Sequence, residues 1–231
     1  HERQLIEFDS APDLEAVFRS RDLVRQRRRR QMVNPLAFRL PLADPSRWLT
    51  ALAPLAAWLF SGWGLLLWCA AVGAALLAAA PHASELAHEA ARLAASPQAL
   101  TAGWLLYPLI KLVHELAHGL ALLRWHAVSR QAGITLLMLT PVPFVDASAA
   151  DALRQPHRRA LVSAAGIMAE LFIAALALGL WLLLQPGLVR DLALTAVLIG
   201  TVSTLLVNGN PLLRFDGYFT LCDLLDLRNL A

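Results

Sequence analysis

The chain has 231 residues, of which 58% are hydrophobic and only 16% charged, too apolar a balance for one soluble core to absorb, so lipid must cover part of it. The formal charge of +3 does not indicate a nucleic-acid partner, because the basic residues gather at one end beside a hydrophobic block. Two cysteines, Cys69 and Cys222, fall in separate apolar stretches without CxxC spacing; they read as packing residues and exclude a disulfide framework.

Residues 1–45 read as a cytoplasmic N-terminal segment, and 46–231 as a membrane-embedded domain. Residues 1–47 carry ten arginines, five of them between Arg25 and Arg30. This is the composition of a solvated stop-transfer flank, or of a segment that binds anionic lipid or an acidic partner. Asp13 to Phe18 has short helical character, whereas Asn34-Pro35 and Leu40-Pro41 prescribe extended connections. The chain begins at His1 with no initiator methionine or signal peptide, as a piece of a longer protein would.

The uncharged run from Trp48 to Ala80 is longer than one span needs. Pro54 and Ser61-Gly62-Trp63-Gly64 divide it into an interfacial helix over about 46–60, anchored by Trp48 and Trp58, and a first span over about 62–80. Pro81 to Pro97 follows as an amphipathic helix outside the membrane, with His82 and His88 as surface residues. A second span covers about 101–123. Gly133 to Leu139, β-rich and stopped by Pro141 and Pro143, reads as a strand or re-entrant hairpin that plugs a cavity or accepts an unwound substrate as an added strand. A third span runs over about 160–184 and a fourth over about 192–206, with Gln185-Pro186-Gly187 as the turn between them. The expected fold is an all-α membrane protein with about four transmembrane helices, an interfacial helix and a short re-entrant β segment. Lys and Arg bias in the loops, including Arg124, Arg130, Arg154, Arg158 and Arg159, puts both termini on the cytoplasmic side.

The second span carries His114-Glu115-Leu116-Ala117-His118. Residues four apart share a helix face, so two imidazoles can bind one metal while Glu115 reaches its open position, the HExxH zinc-hydrolase arrangement. Ionisable groups at this depth are costly and usually functional. A catalytic zinc needs a third protein ligand, and Asp216 lies in the Gly- and Pro-punctuated stretch that ends the fourth span. Glu115 would take a proton from water that zinc has made acidic, then deliver it to the leaving amine. Lys111, the only lysine, is placed to pair with Glu115, to stabilise an oxyanion, to pair with Glu170 or to snorkel. Glu170 reads as a support for helix contacts around the site. Asp146 reads as a capping or turn residue, with a supporting role at the site as the alternative.

These residues resemble the site-2 protease family of intramembrane zinc metalloproteases, which pairs HExxH with an N-x-x-P-x-P-x-L-D-G motif. Asn208, Pro211, Asp216 and Gly217 keep that spacing, while Leu213 stands for its second proline and Phe215 for its leucine. Upstream, Ala165 to Glu170 is similar to the family's glycine-proline element, with Ile167 and Glu170 replacing Pro and Asn. The stretches KLVHELAH, PVPFVDAS and NPLLRFDGYF are similar to a bacterial branch of peptide zinc metalloproteases, over about residues 30–230. The resemblance implies Zn2+ held by His114, His118 and Asp216, with Glu115 as the base and Asn208 near the site. It also implies a membrane-anchored or membrane-inserted peptide substrate and residence in a bacterial inner membrane. The alternative is a non-proteolytic metal-binding component of an export or secretion assembly, with further membrane or export subunits as partners. The intact Glu115 argues against that alternative, since a scaffold needs no base.

Overall fold

A computed structural model of the chain describes residues 37–137 and 140–227, so the arginine run and the short helix expected before it lie outside the described residues. The chain is mostly helical, with one small sheet. Strand β1 (Ala37–Ala43) leads into two short helices, α1 (Ser46–Ala51) and α2 (Ala53–Leu59). The expected interfacial helix is thus broken at Leu52, two residues before Pro54, because proline has no N–H to continue the first helix back to the Thr50 carbonyl and fits the first turn of a new one. Leu49 and Ala56 of this pair are buried against Leu120 and Leu123, while Trp48 and Trp58 remain half exposed.

Helix α3 (Gly62–Ala79) begins at Ser61, whose side chain caps the Gly64 amide, and bends through a 3₁₀ turn at Ala80–His82 into α4 (Ala83–Ala94). Helix α5 (Pro97–Leu123) opens with a Ser96 cap and Pro97 in its first turn, four residues ahead of the expected start. Helix α6 spans Pro156–Leu183, and α7 spans Leu188–Leu198. Helix α7 continues as a π-helix over Ile199–Asn208. A last helix, α8, runs Asp216–Leu224. Among the described residues, four segments are long and apolar enough to cross a membrane: Gly62–Ala94, Pro97–Leu123, Pro156–Leu183 and Leu188–Asn208.

Helices α5 and α6 form the centre. Ala121 and Leu122 pack with Val162, Ala165 and Ala150 at one end, and Leu178 and Trp181 pack with Leu93, Ala193 and Leu194 at the other. Outside this second cluster, Arg92 binds Asp191 at 2.5 Å and Arg190 binds Glu85 at 2.8 Å, fastening α4 to α7. His82 is half-buried, with Nδ1 3.0 Å from the Ala78 carbonyl, and His88 is exposed. Both cysteines are free; Cys69 is exposed, so it does not pack within the chain as its apolar setting suggested.

The sheet corrects the all-α expectation. Strand β2 (Ala132–Leu137) is the middle of an antiparallel β1-β2-β3 order, with β3 formed by Thr140–Val145. The prolines read as terminators therefore lie inside a strand, and the expected substrate-accepting segment is already paired on both sides. The register explains the prolines. Asp146 N–H donates to the Gln131 carbonyl, so by the antiparallel alternation Thr140, Val142 and Phe144 face β2, while Pro141, Pro143 and Val145 turn their backbone away from it. Pro41 occupies the corresponding outward position on β1. Proline is tolerated at these edge positions because no ladder donor is lost there, and it leaves an edge with fewer unpaired N–H groups.

Strand β3 lies along α5. Trp104 Nε1 donates to Thr140 Oγ1 at 3.2 Å, and Val145 N–H donates to Glu115 Oε2 at 2.8 Å. Eleven helical residues and five strand residues each cover about 16 Å, which is why one strand can meet the helix at both points.

Candidate metal centre

Helix α5 presents Lys111, His114 and His118 as a buried stripe with spacings of three and four. It meets a stripe of α6 with a spacing of four: Val162, Gly166 and Glu170, all buried. Each α6 residue has a distinct task. The Val162 carbonyl accepts a hydrogen bond of 2.7 Å from His118 Nδ1, which fixes the ring's tautomer and leaves the Nε2 lone pair free. Glu170 Oε1 stands 2.8 Å from His114 Nδ1, within reach of the same kind of contact but off the line of the ring N–H. Gly166 provides space: a Cβ there would lie 2.5 Å from both Nε2 atoms.

The third ligand candidate arrives from a different segment. Asp216, the first residue of α8, puts Oδ2 at 2.9 Å from His114 Nε2 and 3.5 Å from His118 Nε2, while the two Nε2 atoms are 3.2 Å apart. Despite these contacts the Asp216 Oδ2 atom is buried with no hydrogen-bond partner. Burial by itself opposes charge on this carboxyl, but the adjacent His114 and His118 outweigh it and hold it below the usual carboxylate range. His114, His118 and Asp216 thus form a group that could hold a metal ion.

Two contacts fix α8 in place. A Cβ on Gly217 would collide with the Gly209 backbone, so the loop closes on itself at the residue after Asp216. Arg159 of α6, almost fully buried, binds Asp223 at 2.9 Å, Asp226 at 2.7 Å and the Leu153 carbonyl at 3.1 Å. Arg159, one of the loop charges that enter the orientation reading, thus clasps α8.

Around Glu170, which is fully buried, four further contacts close a polar cluster. Lys111 Nζ lies 2.5 Å from Oε1, Thr204 Oγ1 donates to Oε2, and Asn208 Nδ2 is 3.3 Å from each oxygen. Lys111 is therefore paired with Glu170, the partner named for it in another span, and Asn208 faces the same carboxylate. Sequence reading missed Thr204, although its place four residues before Asn208 on the same helix was a usable signal. It also missed the roles of Val162 and Gly166, which act through a carbonyl and an absent side chain. Glu115 is half-buried beside the histidines and accepts from Val145 N–H. Asp146 accepts from the Ser148 amide at 3.0 Å, a turn contact at the start of the 3₁₀ helix Ser148–Ala152.

Gly166→Ala should favour helix by about 1 kcal/mol in isolation, yet fill the space between the two Nε2 atoms. The expected result is unchanged helical content by circular dichroism, with metal content of the purified protein falling from one equivalent toward zero. Glu170→Gln keeps an oxygen for His114 but leaves the Lys111 charge without its counter-ion. Metal affinity, measured by competition with a chelator, should fall about 10–100-fold.

Models of protein families, characterised proteins and solved structures contain no match to this chain.

Proposed function

We propose that the chain is an integral membrane zinc metalloprotease that hydrolyses peptide bonds in membrane-anchored or membrane-inserted substrates. The observation that carries the reading is the shape of the His114, His118 and Asp216 group. Its three pairwise distances are 3.2, 2.9 and 3.5 Å. Ligands about 2.0–2.1 Å from a tetrahedral zinc stand about 3.3 Å from one another. Two imidazoles and one carboxylate form a three-residue set of the kind that leaves a position open for chemistry, and the orphaned Asp216 oxygen and the space at Gly166 suit an ion in the same place.

Bound zinc would supply Lewis-acid polarisation of the scissile carbonyl and would make water a competent nucleophile near neutral pH. The chain's own residues do the rest. His118 is held in one tautomer by Val162, and the Glu170 carboxylate stands 2.8 Å from His114 Nδ1. Glu115, on the same helix turn as the histidines, takes the proton from the attacking water and passes it to the departing amine. Lys111 neutralises Glu170 within the apolar helices and is not available as an oxyanion donor. The four long apolar helices support insertion in a bilayer. Charge bias in the loops supports an orientation with the HExxH end toward the cytoplasm, from which water can enter.

The non-proteolytic reading, a metal-binding component of an export assembly, predicts that Glu115 is dispensable. Purified Glu115→Gln should keep one zinc and lose cleavage of a transmembrane peptide by about 10²–10⁴-fold. His118→Ala and Asp216→Ala should lose zinc and cleavage together. Full turnover by Glu115→Gln would favour the scaffold reading, and full zinc occupancy in Asp216→Ala would require a different third ligand.

A further inference from the structure

Near the metal centre, Glu115 of α5 meets the sheet through the backbone of the last β3 residue. Val145 N–H, 2.8 Å from Glu115 Oε2, points away from β2 by the same alternation that places Pro141 and Pro143 outward. The three outward positions of β3 therefore carry two prolines, which have no N–H, and one residue whose N–H is directed to a carboxylate on α5. Val145 is also seated on the helix one turn beyond that carboxylate: a Cβ placed on Gly119, four residues after Glu115, would lie 3.6 Å from Val145 Cγ1. At its other end the strand is tied to α5 by the Trp104 to Thr140 hydrogen bond. The strand cannot slide along the helix without breaking one contact or the other.

We propose that Val145 is a positioning residue for the hydrolysis: its backbone N–H holds one oxygen of Glu115, so that the other is aimed at the nucleophilic water. The proposal rests on the reading of Glu115 as the base. A carboxylate on a half-buried helix face has several rotamers of similar energy, and a proton acceptor must lie within hydrogen-bond reach of its proton. A main-chain donor on a strand fixed at both ends removes most of that freedom. The small sheet, in this account, acts on the chemistry through one amide.

The outward register provides a clean test. Val145→Pro continues the series begun by Pro141 and Pro143, deletes the N–H given to Glu115 and removes no bond to β2. Val145→Ala deletes the packing on Gly119 but keeps the N–H. With full-length protein in detergent micelles, Val145→Ala should retain zinc, KM and kcat within about twofold. Val145→Pro should retain zinc and KM while kcat falls about 10–100-fold, the scale on which a misplaced catalytic group acts. Equal, near-native kcat in the two variants overturns the proposal.

Should Val145→Pro fail to load zinc, amide hydrogen exchange in Glu115→Ala decides. Protection of the Val145 amide should drop at least tenfold, while that of Val142, which faces β2, is unchanged; unchanged protection at Val145 overturns the proposal. Wild-type turnover by Glu115→Gln would instead remove the base reading itself, whatever the Val145 variants do.

Discussion

A carboxylate with no exposed surface, set among helices apolar enough to cross a membrane, has to be met from several sides or lose its charge. Glu170 is met from four: the Lys111 ammonium, the Thr204 hydroxyl, the Asn208 amide and the edge of the His114 ring. These partners come from α5 and from the segment after α7, so satisfying this one group fixes three segments relative to one another. Thr204 and Asn208, four apart on the π-helix at Ile199–Asn208, both reach the same carboxylate. A cluster of this kind is weak evidence for stability, because desolvation offsets the attraction. Its clearer consequence is placement: the carboxylate that stands beside His114 is itself held from α5 and from the segment after α7.

The metal centre is then assembled from parts that are far apart in the chain and rigid for different reasons. His114 and His118 come from one face of α5, and α6 positions both rings by a carbonyl, a carboxylate and the absence of a side chain at Gly166. Asp216 comes from α8, the helix that follows the loop after Gly209. The Gly209 to Gly217 contact and the Arg159 clasp hold it on α6. Glu115 points to the sheet. The candidate ligands and Glu115 thus have separate supports, so that substitution of one support need not disturb the other.

Much of this was legible in the sequence, and the illegible parts share a physical cause. The i,i+4 histidines and the Asn208-to-Asp216 stretch are local patterns, and the four apolar helices follow from composition and length. The pairing of Glu170 with Lys111 was readable as one of two outcomes, because a lone carboxylate in an apolar span either finds a partner or is protonated. The sheet was harder. Pro141 and Pro143 normally end a strand, and only the register across to β2 shows that they sit where no ladder N–H is required. Pro41 conceals β1 in the same way. The break between α1 and α2, the π-helix and the tasks of Val162 and Gly166 depend on contacts between segments, or on backbone atoms that every residue type possesses.

The central claim is that His114, His118 and Asp216 hold one zinc. X-ray absorption at the zinc edge of the loaded protein tests it most directly. The account predicts two imidazoles and oxygen donors, all at about 2.0–2.2 Å, with no sulfur in the shell. A sulfur scatterer at about 2.3 Å, or an imidazole count other than two, would contradict it.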